Sequence, residues 1–149
     1  MTLTVRRVIL WFLSALATAV GGWAMLFPVN WYETFPDGNP TTGFGQWIMM
    51  DGPYNEHLIR DVGALYLALA GSGIVAAVSR SLTASRLVAV AWIVFSAPHL
   101  IYHLEHLHGF DMFDAIGESV SLSLTLVLPI PLLFPMRREP TAKTENTPL

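Results

Sequence analysis

The sequence predicts an all-α fold, an integral membrane four-helix bundle with both the N and C termini cytoplasmic. Three observations predict it. Hydrophobic residues make up 53% of the 149 positions and charged residues only 13%, against about 25% charged in soluble domains. Four apolar runs are each long enough, at about 1.5 Å of rise per residue, to cross a hydrocarbon layer of about 30 Å. The basic residues segregate: Arg6, Arg7, Arg80, Arg86, Arg137, Arg138 and Lys143 fall on one side of such a bundle, and Arg60 alone falls on the other. The positive-inside rule assigns the arginine-rich side, and with it both termini, to the cytoplasm.

Several function classes are excluded or disfavoured by composition. There is no cysteine, so disulfides, thiolate metal sites, c-type haem attachment and thiol catalysis are ruled out. The net charge is -3 and no basic patch or nucleic-acid motif occurs, which argues against a nucleic-acid partner. The lipid bilayer is the expected surrounding, and the expected location is the plasma (inner) membrane, crossed several times.

The first span is 8–27, preceded by Arg6-Arg7 and closed by Pro28. Ala17-Thr-Ala19 looks like a signal-peptide cleavage site, but apolar character continues through it to Phe27, and three further spans follow. Residues 29–56 form a long outer loop rich in Pro, Gly and aromatic residues, of the kind that is functional or ordered against something. Within it, Trp47-Ile-Met-Met50 is too short to span, and Asp51-Gly-Pro-Tyr54 reads as a turn.

The second span is 61–79. Ala64, Ala68, Ser72 and Ala76 recur at i+4, a ridge of small residues expected to admit a neighbouring helix. The same stripe extends to Asp61 and His57. The third span, 87–106, contains Pro98, which is expected to kink it. The fourth, 114–136, carries Asp114, Glu118, Ser121 and Thr125 at helical spacing and is interrupted late by Pro129 and Pro131. Residues 1–138 thus form one four-span domain, and 139–149 a disordered cytoplasmic tail.

Chemistry concentrates at one place. Four of the five histidines lie between Ser96 and His108, and on a helix His99, His103 and His106 share a face. Counted from Arg86, His99 lies about 19 Å into the layer, with His103 one turn shallower. The topology brings the long loop, the end of the third span and the starts of the second and fourth to the same outer end. Ionisable groups at that depth need partners.

One outcome is a transition metal (Zn, Cu or Fe) held by His99 and His103, with His57, His106, Asp61 or Glu118 completing the set. In an enzyme of that kind, Glu118 or Asp61 is the candidate catalytic base acting on a metal-bound water. A second outcome is a structural hydrogen-bond network in a non-catalytic accessory subunit of a larger membrane complex or homo-oligomer. A proton-linked or organic-ligand pocket is a third. His106 and His108, near the surface, read most simply as solvated.

From Asn55 to Tyr66 (Asn-Glu-His-Leu-Ile-Arg-Asp-Val-Gly-Ala-Leu-Tyr) the chain resembles small bacterial four-span membrane proteins of unknown function. The matching positions are Asn55, His57, Arg60, Asp61 and Gly63 at the start of the second span, then His99 and His103 late in the third. The resemblance implies the four-span fold and a site near these residues, and implies no activity.

Overall fold

The computed structural model of the protein describes residues 1–37 and 44–135. The expected tail, 139–149, and the Arg137-Arg138 pair lie outside the described residues. The long helices are α1 (Leu3–Leu26), α4 (Glu56–Ser79), α5 (Leu82–Glu105) and α6 (Met112–Val127). Short helices α2 (Pro28–Thr34) and α3 (Trp47–Asp51) stand between α1 and α4, and one 3-10 turn (Ile130–Leu133) follows α6. No strand occurs among the described residues. Four helical segments are long and apolar enough to cross a membrane: Leu3–Leu26, Glu56–Ser79, Leu82–Glu105 and Met112–Leu133.

Each long helix begins ahead of its apolar run because a polar side chain caps it. Thr2 accepts from the Val5 N–H at 3.3 Å and Asn55 from Leu58 at 3.1 Å. Ser81 accepts from Ala84 at 3.2 Å, and Asp111 from Phe113 and Asp114 at 2.8 and 2.9 Å. Such caps satisfy amide groups that have no partner inside the helix.

The tightest packing is between α1 and α4. A Cβ placed on Gly21 would lie 2.7 Å from the Tyr66 Cβ, and one on Gly63 would lie 2.8 Å from the Met25 amide nitrogen. The two backbones therefore touch through glycine. The buried stripe of α4 is Ile59, Gly63, Tyr66, Ala70, Gly73 and Ala77. This corrects the expected ridge: Ala64, Ala68 and Ser72 are exposed, and only Ala76 is buried. Successive helical residues are about 100° apart, so the expected ridge and the true one, starting at adjacent positions, face different neighbours.

The other end of the bundle is fastened by arginine. Pro129 and Pro131 cannot continue the α-helical ladder, so α6 gives way to the 3-10 turn and leaves carbonyl groups free. Arg6, completely buried, donates from Nη1 to Leu132 O at 2.9 Å and from Nη2 to Phe134 O at 2.6 Å. Arg86 donates to Leu133 O at 2.9 Å. Around these contacts Leu10, Leu13, Ala17, Tyr66, Leu69, Trp92 and Leu132 form the main core.

The packing makes a paired prediction. Gly63→Leu must push the α1 backbone away and should cost about 1–3 kcal/mol or more, whereas Ala64→Leu, on the open face, should stay within about 0.5 kcal/mol. Denaturant unfolding in detergent micelles reads both, and equal losses would contradict this helix rotation.

Candidate metal centre

At the end of the bundle opposite Arg6, three elements bring one ionisable side chain each to a common point. His103 projects from the last turn of α5 and Glu118 from the second turn of α6. The His103 Nδ1 lies 2.8 Å from Glu118 Oε1, with side chains 10% and 4% exposed. Asp51, the last residue of α3, places Oδ2 3.8 Å from the same nitrogen. One ligand atom from each of the three lies within 4.8 Å of the others.

This cluster is short of positive charge. Two carboxylates surround one imidazole, so even a protonated His103 leaves a net negative charge in a largely buried site, with Asp51 22% exposed, when both acids are ionised. A buried charge of that kind calls for a cation or a proton. The second oxygen of Glu118, Oε2, is buried and has no hydrogen-bond partner among the described residues. The His103 Nδ1, although close to Glu118, is off the direction of a good hydrogen bond. Burial holds the Asp51 carboxyl above its ordinary pKa and Glu118 adds to the rise, while His103 and His106 oppose it.

Asp51 comes from an otherwise irregular connection, and Asp114 explains how that connection is held. The Asp114 carboxylate, buried one turn before Glu118 on α6, accepts the Gly45 N–H at 2.9 and 3.0 Å and the Trp47 Nε1–H at 2.8 Å. A Cβ on Gly45 would sit 2.6 Å from Asp114 Oδ2, so the contact requires glycine there. Trp47 also donates its backbone N–H to Phe35 O at 3.1 Å. Just beyond the far end of α3, the Tyr32 hydroxyl donates to Gly52 O at 2.8 Å. Gly52, at φ +152°, lets the chain turn away immediately after Asp51. The carboxylate is therefore presented by a single helical turn tied on both sides.

The other residues singled out in the sequence are placed as follows. His99 lies one turn deeper than His103, its ring stacked on Phe95 at 5.2 Å and edge-on to His103 at 4.7 Å. His106 is exposed, stacked on Tyr102 at 4.1 Å, with Nδ1 2.7 Å from Tyr102 O. His57 and Asp61 pair with each other at 3.4 Å, at 89% and 63% side-chain exposure. They do not join the cluster, because they occupy the α4 face opposite Ile59 and Gly63, which pack on α1. Arg60 bonds Glu56 at 2.8 Å and donates to the carbonyl of Met25.

Asp51 is the residue that sequence reasoning passed over as part of a turn. The available signal was positional: an acid ending a tryptophan-led apolar segment too short to span, in a loop long enough to fold back.

No family model matches the chain, and neither the curated proteins nor the solved structures provide a match.

Replacing Asp114 with alanine leaves the Gly45 amide and the Trp47 indole without their charged acceptor. A loss of about 2–4 kcal/mol is expected, since bonds to charged groups contribute about 1.5–3 kcal/mol each and buried orphan donors add to the cost. Thermal unfolding in detergent measures it, and protease cleavage between residues 44 and 53 should rise in parallel. Wild-type protection of that segment in the variant would contradict the latch.

Proposed function

We propose that the protein is a multi-pass protein of the bacterial plasma membrane that binds a divalent transition metal at Asp51, His103 and Glu118, on the outward-facing end. The observation that carries the reading is the buried, partnerless Glu118 Oε2 within a cluster of surplus negative charge. A divalent ion there would balance the two carboxylates and occupy the unused oxygen. Two oxygen donors and one imidazole suit Zn2+ or Fe2+, and fit copper less well than an all-imidazole site would.

In this reading Glu118 is a ligand rather than a free base, and His99 lies beside the centre without belonging to it. His57 and Asp61, an exposed pair on α4, stand outside it. Three protein ligands leave coordination positions open, the arrangement of catalytic rather than structural metal sites. A bound metal would lower the pKa of a water held there. The outward placement rests on the arginine asymmetry: among the described residues Arg6, Arg7, Arg80 and Arg86 share one end of the bundle and Arg60 alone stands at the other.

The test is elemental analysis of protein purified without a histidine tag. Near-stoichiometric metal is expected in the wild type and in His57→Ala, with at least a tenfold lower content in His103→Ala and Glu118→Gln. Equal metal in all four proteins, or none in the wild type, would refute the assignment. Metal and proton compete for Asp51, and burial raises its affinity for the proton. Acidification should therefore release the metal.

One observation favours a second reading, that of a non-catalytic subunit in a larger assembly. Ala64, Ala68 and Ser72 are exposed on α4, and a Cβ on neighbouring Gly71 would meet nothing within 4 Å. A face of small residues left open in lipid admits close approach by another helix. Ala68→Leu should then dissociate an assembly isolated in mild detergent, while an unchanged monomeric mass for both proteins would exclude this reading.

A further inference from the structure

Beside the cluster is a cavity of about 80 Å3 bounded in part by His99, His103 and Glu118. The rest of its wall is mainly aromatic and aliphatic, with Val20, Val62 and Leu122 on one hand and the rings of the α2–α3 region on the other. Among the described residues no lysine or arginine lines it. Resting on the metal reading above, we infer that this cavity is the chamber for the centre's exogenous ligand, and that the ligand is a small, neutral molecule of about three heavy atoms or fewer.

Size and charge each limit the occupant. A water molecule takes about 30 Å3 in the liquid, and an apolar cavity of about 150 Å3 accommodates benzene. The volume here admits two or three waters or one molecule well below benzene in size. A divalent ion balanced by Asp51 and Glu118 leaves a centre with no net charge. An anion entering the chamber would lose its hydration and find no cation in the wall to replace it. A neutral diatomic or triatomic loses little on entry and gains contact with the rings. Glu118 belongs both to the ligand set and to the chamber wall, so a ligand there stands next to the metal.

Nitric oxide is a suitable probe because it is neutral, diatomic and gives ferrous centres a half-integer-spin EPR signal. Azide, an anion of similarly small bulk, is the charged counterpart. With Fe2+-loaded protein, the nitrosyl signal should form in the wild type and persist against an equal concentration of azide. Val62→Phe and Leu122→Phe, which fill the chamber and replace none of the three ligands, should keep their iron and lower the signal at least tenfold.

Iron bound with no nitrosyl signal overturns this inference alone, as does azide suppressing the signal or both phenylalanine variants retaining it. Loss of iron from both variants also overturns it, since the chamber would then be inseparable from the ligands. Absence of bound iron, zinc or other transition metal in the wild type overturns the metal reading first.

Discussion

The bonds accepted by Asp114 are the constraint on which the functional end depends. A carboxylate buried among helices is costly unless its oxygens are satisfied, and here the satisfying groups come from the connection that leads into α3. The pairing therefore works in both directions: α6 keeps a buried acid, and a segment with no periodicity of its own acquires one conformation. Trp47, held by that acid, carries α3 with it, and α3 ends on Asp51. One turn farther along α6, Glu118 meets His103. Two acids spaced i, i+4 on one helix thus have different tasks, the first holding a loop in place and the second meeting the residue that the loop delivers.

The two ends of the bundle solve a similar problem with opposite charge. At the arginine end, prolines free a set of carbonyl oxygens, and Arg6 and Arg86 bond them directly. No carboxylate is involved in those contacts, so the partners of these cations are backbone dipoles, and Arg6 Nε has no hydrogen-bond partner among the described residues. At the other end the surplus is negative, and Glu118 Oε2 is left without a bond among the described residues. The two ends thus bury charge of opposite sign, the Arg6 guanidinium against backbone carbonyls and the Glu118 carboxylate beside an imidazole and a second acid.

Much of the fold was legible because hydrophobic runs of membrane length are a strong signal and caps and prolines mark their ends. The pairing of Glu118 with His103 was also within reach, since both positions fall at the same end by topology alone. Helix rotation was not legible. The stripe from His57 through Asp61 to Ala68 has the spacing of a packed face, and it is one face, but it turns away from α1. Gly63 and Gly73 decide the matter, and their role is apparent only when Gly21 and Ser14 stand opposite them. Asp51 escaped for a related reason, because a loop position is fixed by its long-range partners, here Asp114 and Tyr32, and not by any local pattern.

The proposed metal site draws one imidazole and two carboxylates from α3, α5 and α6. The X-ray absorption spectrum of the zinc-loaded protein tests this most directly, because imidazole rings produce multiple scattering that carboxylate oxygens do not. One imidazole and two carboxylates should give a shell of light N/O donors near 2.0–2.1 Å with the scattering of a single imidazole. A spectrum requiring two or more imidazoles would contradict it, since His99, His57 or His106 would then have to be at the metal.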